Sequence, residues 1–217
     1  MTQETPSIST AAETLIPSTT EQVDRRMSLL QAAFDVIAEA GFEGLRTRAV
    51  AQRAGVNIAT LHYYFPTKDA LIHGLAEFLS GTFATLHAPA GPTTGRWALD
   101  HLRQEFVDMR FYREKHPQLR TVVEELMLRA KRDPAVELAM ATMMQSWRGW
   151  VEMMVRTGLE EGTFRRELPA EETISMLMAV LAGAPVLGMD SIEGVRQRVE
   201  EWLLAPEVKE ELRGAGR

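Results

Sequence analysis

Between Arg46 and Lys68 the chain reads RTRAVAQRAGVNIATLHYYFPTK. Few folds accommodate that stretch. Val50, Ala51 and Ala54 recur at helical spacing before Gly55, and Leu61 and Phe65 recur at the same spacing after it. Gly55 makes a turn between two short helices, Val56 plugs the core beneath it, and Pro66 stops the second helix. The first helix is predicted over about Thr47–Arg53, with the Thr47 hydroxyl as its N-cap. The second is capped by Asn57 and runs to about Tyr64. Ala51 is small, so the two helices cross closely. This is helix-turn-helix spacing, over residues 46–65. The stretch carries Arg46, Arg48, Arg53 and Lys68 and no acidic residue. A compact cationic unit with hydroxyl and aromatic side chains suits the phosphate backbone of DNA.

The surrounding chain is acidic. Net charge is −6 over 217 residues, which excludes a protein that coats nucleic acid by bulk positive charge. Residues 21–68 hold six basic and five acidic residues, and all five acids (Glu21, Asp24, Asp35, Glu39, Glu43) precede Arg46. DNA affinity therefore comes from one face. Absence of cysteine rules out disulfides, thiolate metal sites and a cysteine nucleophile, and fits a reducing cytoplasm. No run of 18 apolar residues suggests a membrane span. The first twenty residues include nine Ser or Thr and two Pro, and lack the basic and apolar regions of a signal peptide. Residues 1–22 read as a flexible arm.

Outside these segments the apolar periodicity is helical almost throughout, which predicts an all-α chain of about nine helices. A first helix, about Glu21–Ala40, buries Leu30, Ala33, Phe34 and Ile37 and ends at Gly41. Thr67 caps a fourth helix from Lys68 to about Leu86. After a breaker-rich linker, His87–Gly95, helices are expected over about Arg96–Lys115, from Pro117, over Pro134–Glu161, over Pro169–Leu187 and over Ser191–Leu204. The tail from Glu207 is charged and expected to fray. The eighth helix is apolar nearly all round between Ile174 and Leu187. Such a helix is covered on more than one side, which points to a second copy of the chain.

The residues GFEGLRTRAVAQRAGVNIATLHYYFPTKDAL resemble the DNA-binding segment of the tetracycline-repressor (TetR) family of bacterial transcription regulators. The resemblance rests on Gly41, Thr47-Arg48, Val50-Ala51, Ala54-Gly55-Val56, Thr60-Leu61, Tyr64-Phe65 and Lys68, and spans about Val23–Phe83. The spacing Gly158-x-x-x-Gly162-x-Phe164 before a helix is a weaker sign of the same family. His62 stands where the family usually has Tyr, and Arg46 where it usually has Thr or Ser. The resemblance implies a three-helix DNA-binding domain over 23–83 and a helical ligand-binding and dimerisation domain over 84–217. It implies phosphate anchoring by Thr47, Arg48, Thr60, Tyr64 and Lys68, with Arg46 and Asn57 beside them. Arg48 could instead reach a guanine edge, and Tyr64 could instead pack against the fourth helix. Ile58, Ala59, His62 and Tyr63 are the base-reading candidates; Ile58 and Ala59 offer only apolar contact, as to a thymine methyl.

The expected partners are a double-stranded operator, a second copy of the chain and a small apolar effector, with no membrane and no cofactor. The resemblance places an effector pocket in the helical body. Phe106, Met109, Met127, Met143, Trp147, Trp150, Met154 and Met178 are its candidate lining, although Met and Trp at helical spacing serve equally as core. Glu124 and Glu125 suit a cationic effector or ordinary salt bridges. For the dimer, helices eight and nine of two chains would pack as four, through Ile174, Leu177, Leu181, Ala184, Ile192, Val195, Val199 and Trp202. His101 and Glu105 share a helix face but lack a third metal ligand, and no catalytic signature is present. The leading expectation is a repressor released from a near-palindromic operator by its effector. The alternatives are a DNA-binding regulator whose body meets a protein, and a helical small-molecule-binding or enzymatic protein that binds no DNA.

Overall fold

The computed structural model describes residues 19–86, 90–91, 93–186 and 192–215. The arm up to residue 18, linker residues 87–89 and 92, Leu187 and Ser191 lie outside them. The described chain is all-α. It runs α1 (Thr19–Ala40), a 3-10 turn (Phe42–Gly44), α2 (Thr47–Arg53), α3 (Ile58–Tyr64), α4 (Lys68–Thr85), α5 (Trp97–Lys115), α6 (Pro117–Ala130), α7 (Pro134–Glu160), α8 (Ala170–Val186), α9 (Ile192–Leu203) and α10 (Pro206–Ala215).

Helix ends follow local chemistry. Gly41, with φ +67°, terminates α1 in a conformation that a Cβ disfavours. The Asn57 and Thr67 side chains cap α3 and α4 by accepting from the amides of Thr60 and Ala70. Asp133 caps α7 and Pro134 occupies its first turn. Thr47 does not cap α2, contrary to the sequence reading. Arg46 holds the cap position in extended backbone with no side-chain bond, and Thr47 is the first helical residue. The count of nine helices is also too low. The tail forms α10, which docks Val208 at 2% exposure, so it is packed where fraying was expected.

Two hydrophobic cores organise the molecule. In the first, Leu30, Phe34 and Ile37 of α1, Val50 of α2, Leu61 of α3 and Leu71, Leu75 and Leu79 of α4 pack together. Leu119, Val122 and Leu126 of α6 and Val136, Met140 and Met143 of α7 join the same cluster. The second core gathers α5, the later turns of α7, and α8 to α10. The sequence boundary at residue 83 falls inside the continuous α4, and the first core crosses it. The helix-turn-helix unit is thus seated directly on α6 and α7. Burial of this apolar surface, at roughly 25 cal/mol per Å², is the main force joining them.

The second core is closed by a short pairing. An antiparallel bridge joins Phe164 to Leu204, with the Arg165 amide donating to the Leu203 carbonyl and the Ala205 amide to that of Thr163. Arg103 donates two hydrogen bonds, at 2.9 and 2.8 Å, to the nearly buried Glu200, tying α5 to α9, and Arg196 also pairs with Glu200.

Candidate DNA-contact face

Helix α3 is short, and its burial is one-sided. Leu61 is fully buried and the following Phe65 nearly so. The opposite side presents Ile58 (39% exposed) and Tyr63 (70% exposed), with Ala59 and His62 also exposed. All four base-reading candidates therefore lie on accessible surface. Two apolar side chains held out in water have a use if a base edge covers them. Tyr64 is half-buried, packs against the first core and meets Tyr63 edge-on at 5.1 Å.

The start of α3 is braced internally. Asn57 Oδ1 accepts from the Thr60 amide at 2.8 Å and from the Thr60 hydroxyl at 3.1 Å. The two residues hold each other, so the Thr60 hydroxyl proton is engaged in the cap. Asn57 keeps its side-chain amide N–H groups for an outside acceptor.

The cations divide into two kinds. Arg53 is drawn back to α1: it donates to both Glu39 carboxylate oxygens, at 2.7 and 2.5 Å, and lies 3.6 Å from Asp35. The Arg53 hydrogen bond holds the Glu39 carboxyl below its usual range, and Glu39 in turn raises Arg53. Arg46, Arg48 and Lys68 make no ion pair among the described residues. All three are exposed, beside the start of α2 and at the start of α4. Helix starts carry unpaired amides and partial positive charge, which adds to the attraction for phosphate.

Lys68 also touches something the sequence did not reveal. Its Nζ lies over the Phe42 ring, 4.7 Å from the centroid. Arg129 of α6 lies over the same ring at 5.0 Å, and pairs with Glu43 at 3.3 Å. Glu125 of α6 accepts a hydrogen bond from the Phe42 amide at 3.0 Å. Glu125 is thus spent on backbone rather than on an effector, while Glu124 pairs with Arg120.

In the body, Phe106, Met109 and Met154 are buried in the second core, against which Trp147 and Met178 pack half-buried; Met143 belongs to the first. Trp150 is half-buried, donates to Glu105 at 2.8 Å, and meets Trp97 and His101 edge-on. Met127 departs from the expected lining. It is 42% exposed on α6 because the buried side of that helix is carried by Leu119, Val122 and Leu126. No group of three metal-ligating side chains occurs among the described residues, and none of their helices is long and apolar enough to cross a membrane.

Most of the residues named for the dimer turn inward. Ile174, Leu177, Leu181, Ala184, Ile192 and Val199 are buried within the chain's own second core, and Val195 and Trp202 pack half-buried against it. The six buried ones are satisfied without a partner. The outward side of α8 instead carries Met176, at 52% exposure, with Ala179 and Ala182 exposed and Val180 and Gly183 half-buried.

Comparison with known proteins agrees with this geometry. The sequence signature described as "Bacterial regulatory proteins, tetR family" matches residues 29–75, from the buried side of α1 into α4. The "Probable HTH-type transcriptional regulator YttP" of Bacillus subtilis (strain 168) is 27% identical over 165 residues, covering 74% of this chain and 76% of that protein. The "HTH-type transcriptional repressor KstR" of Rhodococcus jostii (strain RHA1) is 33% identical over 86 residues, and the match spans only 39% of that repressor and 40% of this chain. The crystal structure of a TetR transcription regulator from Haloarcula marismortui superposes with a TM-score of 0.70 at 22% identity, covering 84% of this chain and all of that one. A likeness at that identity speaks for the fold, and the helix-turn-helix match for the DNA-binding unit. Residues 29–75 thus carry the DNA-binding unit of the tetR family of bacterial regulatory proteins, in a chain with the fold of a TetR transcription regulator.

Proposed function

We propose that this protein is a repressor that binds a near-palindromic operator as a two-fold dimer and leaves it when a small effector, mainly apolar, binds the helical body. One observation carries the DNA part. The exposed side of α3 (Ile58, Ala59, His62, Tyr63) is flanked by Arg46, Arg48 and Lys68, three cations that make no ion pair among the described residues. Specificity rests with the former group and phosphate anchoring with the latter. A two-fold dimer would set the half-sites about 34–36 Å apart, or a multiple of that spacing.

The outward apolar side of α8 supports the dimer. Met176, Ala179, Val180 and Gly183 follow helical spacing, and the small residues let a second α8 approach closely. Effector control is supported by the seating of α3 and α4 on the core that includes α6 and α7. A ligand that favours another arrangement of the body would weaken DNA binding about 5–150-fold, a coupling of about 1–3 kcal/mol. KstR's designation as a repressor supports the direction of control.

The test is selection of bound fragments from the source genome, followed by a salt titration on the selected site. Affinity should fall steeply with salt, and Lys68→Ala should reduce the slope of log K against log salt by about one. Absence of binding to any genomic fragment at low salt would remove the reading. A broad panel of small apolar compounds that leaves operator affinity unchanged would remove its effector part.

A further inference from the structure

The connection between α1 and α2 is held from outside its own domain. Gly41 has φ +67°, so the backbone turns sharply and the amide of Phe42 begins a 3-10 turn with no intrahelical acceptor. Glu125, 83 residues further on, supplies the acceptor at 3.0 Å, and its Oε2 is 3.3 Å from where a Cβ on Gly41 would stand. One turn of α6 later, Arg129 covers the Phe42 ring and pairs with Glu43. The Phe42 ring is buried at 4% exposure, and Lys68 Nζ rests on it as well. One ring therefore meets a body arginine and the lysine at the start of α4.

We propose that Glu125 and Arg129 are positioning residues for DNA binding: from α6 they clasp the Phe42–Gly44 turn, and through the Phe42 ring they hold Lys68 where it meets a phosphate. This rests on the proposed DNA-binding reading. A charge-assisted hydrogen bond to a backbone amide is stronger than a neutral one, and it fixes the turn in direction as well as distance. A cation against an aromatic face loses conformational freedom before it reaches its phosphate. A shift of α6 by a fraction of an ångström would loosen both at once. Only the fraction of molecules with the clasp closed then binds at full strength.

Operator affinity and its salt dependence are measured for the full chain and for Glu125→Ala, Glu125→Gln, Phe42→Leu, Lys68→Ala and the double variant Phe42→Leu/Lys68→Ala. Circular dichroism confirms that each is folded. Hydrogen exchange of the peptide containing Phe42 is followed in parallel without DNA. Glu125→Ala should exchange about tenfold faster at Phe42, as expected for a lost charge-assisted bond. It should also bind about 5–50-fold more weakly, within the usual range of couplings. Glu125→Gln, which keeps an acceptor, should recover most of both. Phe42→Leu and Lys68→Ala should be non-additive, and Phe42→Leu should lower the salt slope towards that of Lys68→Ala. Wild-type affinity in Glu125→Ala, tighter binding, or additive effects of Phe42 and Lys68 would overturn the clasp while leaving the DNA reading intact. A wild-type protein that binds no DNA would remove both.

Discussion

The Phe164 ring lies against the backbone of Gly158 so closely that a Cβ added to the glycine would meet its Cδ2 at 2.2 Å. The pair accounts for two of the three fixed positions in Gly158-x-x-x-Gly162-x-Phe164. The third, Gly162, supplies the reversal with φ +70°. Gly158→Ala should therefore destabilise the chain by about 1–3 kcal/mol, the usual cost of overpacking a tight core. Urea unfolding measures it. Combined with Phe164→Ala, which removes all three ring atoms the methyl group would meet, the pair should cost less than the sum of the two single changes.

The Asn57 cap gives a second expectation. Asn57→Ala removes the acceptor for the Thr60 amide and hydroxyl. The loss should be about 1 kcal/mol. Hydrogen exchange should locate it in the first turn of α3, with α7 unaffected. Asn57→Asp, which keeps the acceptor, should retain the cap but weaken DNA binding by placing a negative charge near phosphate.

Alkaline stability should report on Tyr112. Its hydroxyl donates to the Leu86 carbonyl at 2.5 Å, closing the end of α4 against α5. Burial, aided by the negative charges of Asp108 and Glu105, pushes the phenol well above its ordinary value near 10. The folded phenol stays protonated where the unfolded one ionises. Its contribution is therefore fully present below about pH 10 and is lost as pH rises towards the folded pKa. At neutral pH, Tyr112→Phe should cost about 0.5–1.5 kcal/mol for the hydrogen bond. Above pH 10 the gap between variant and wild type should narrow, as denaturation curves at stepped pH would record.

Met176→Glu tests the outward side of α8. The side chain is half-exposed in the protomer, so the substitution should leave the monomer folded. In a two-fold interface it places one carboxylate near another, and an uncompensated buried charge costs about 3–5 kcal/mol. Sedimentation should show a monomer for the variant and the proposed dimer for wild type. Leu177→Glu, buried in the chain's own core, should unfold the protein instead.

His62 tests the reading face. It is exposed on α3 and differs from the residue usual in the family. His62→Tyr should alter which base is preferred at one position in each half-site, in selections run side by side. It should leave the salt slope unchanged, because the residue is assigned to bases and not to phosphates. Identical selected sequences would exclude His62 from the readout.

The helix-turn-helix was legible because its determinants are local. Gly55, the Asn57 cap and the Pro66 stop lie within a span of twelve residues, and α2 and α3 have the predicted bounds. Helix α10 was missed because it offers few apolar anchors, Val208 and Leu212 among mostly charged neighbours, and folds by docking on a core built elsewhere. That six of the eight dimer candidates face the chain's own core was hidden for a different reason. On a helix that is apolar all round, periodicity does not tell which side meets the chain's own interior. The Glu125–Phe42 bond joins residues 83 apart, and neither residue type announces the other.

Arg53 sits among the cations of the helix-turn-helix, yet its charge is turned towards Glu39 and Asp35. Phosphate contacts grip every DNA sequence alike, so each cation withheld from them loosens random sites as much as the operator. A regulator that must scan a chromosome gains from that restraint: it lets go of wrong sites sooner, and the exposed side of α3 decides a larger share of where it stays.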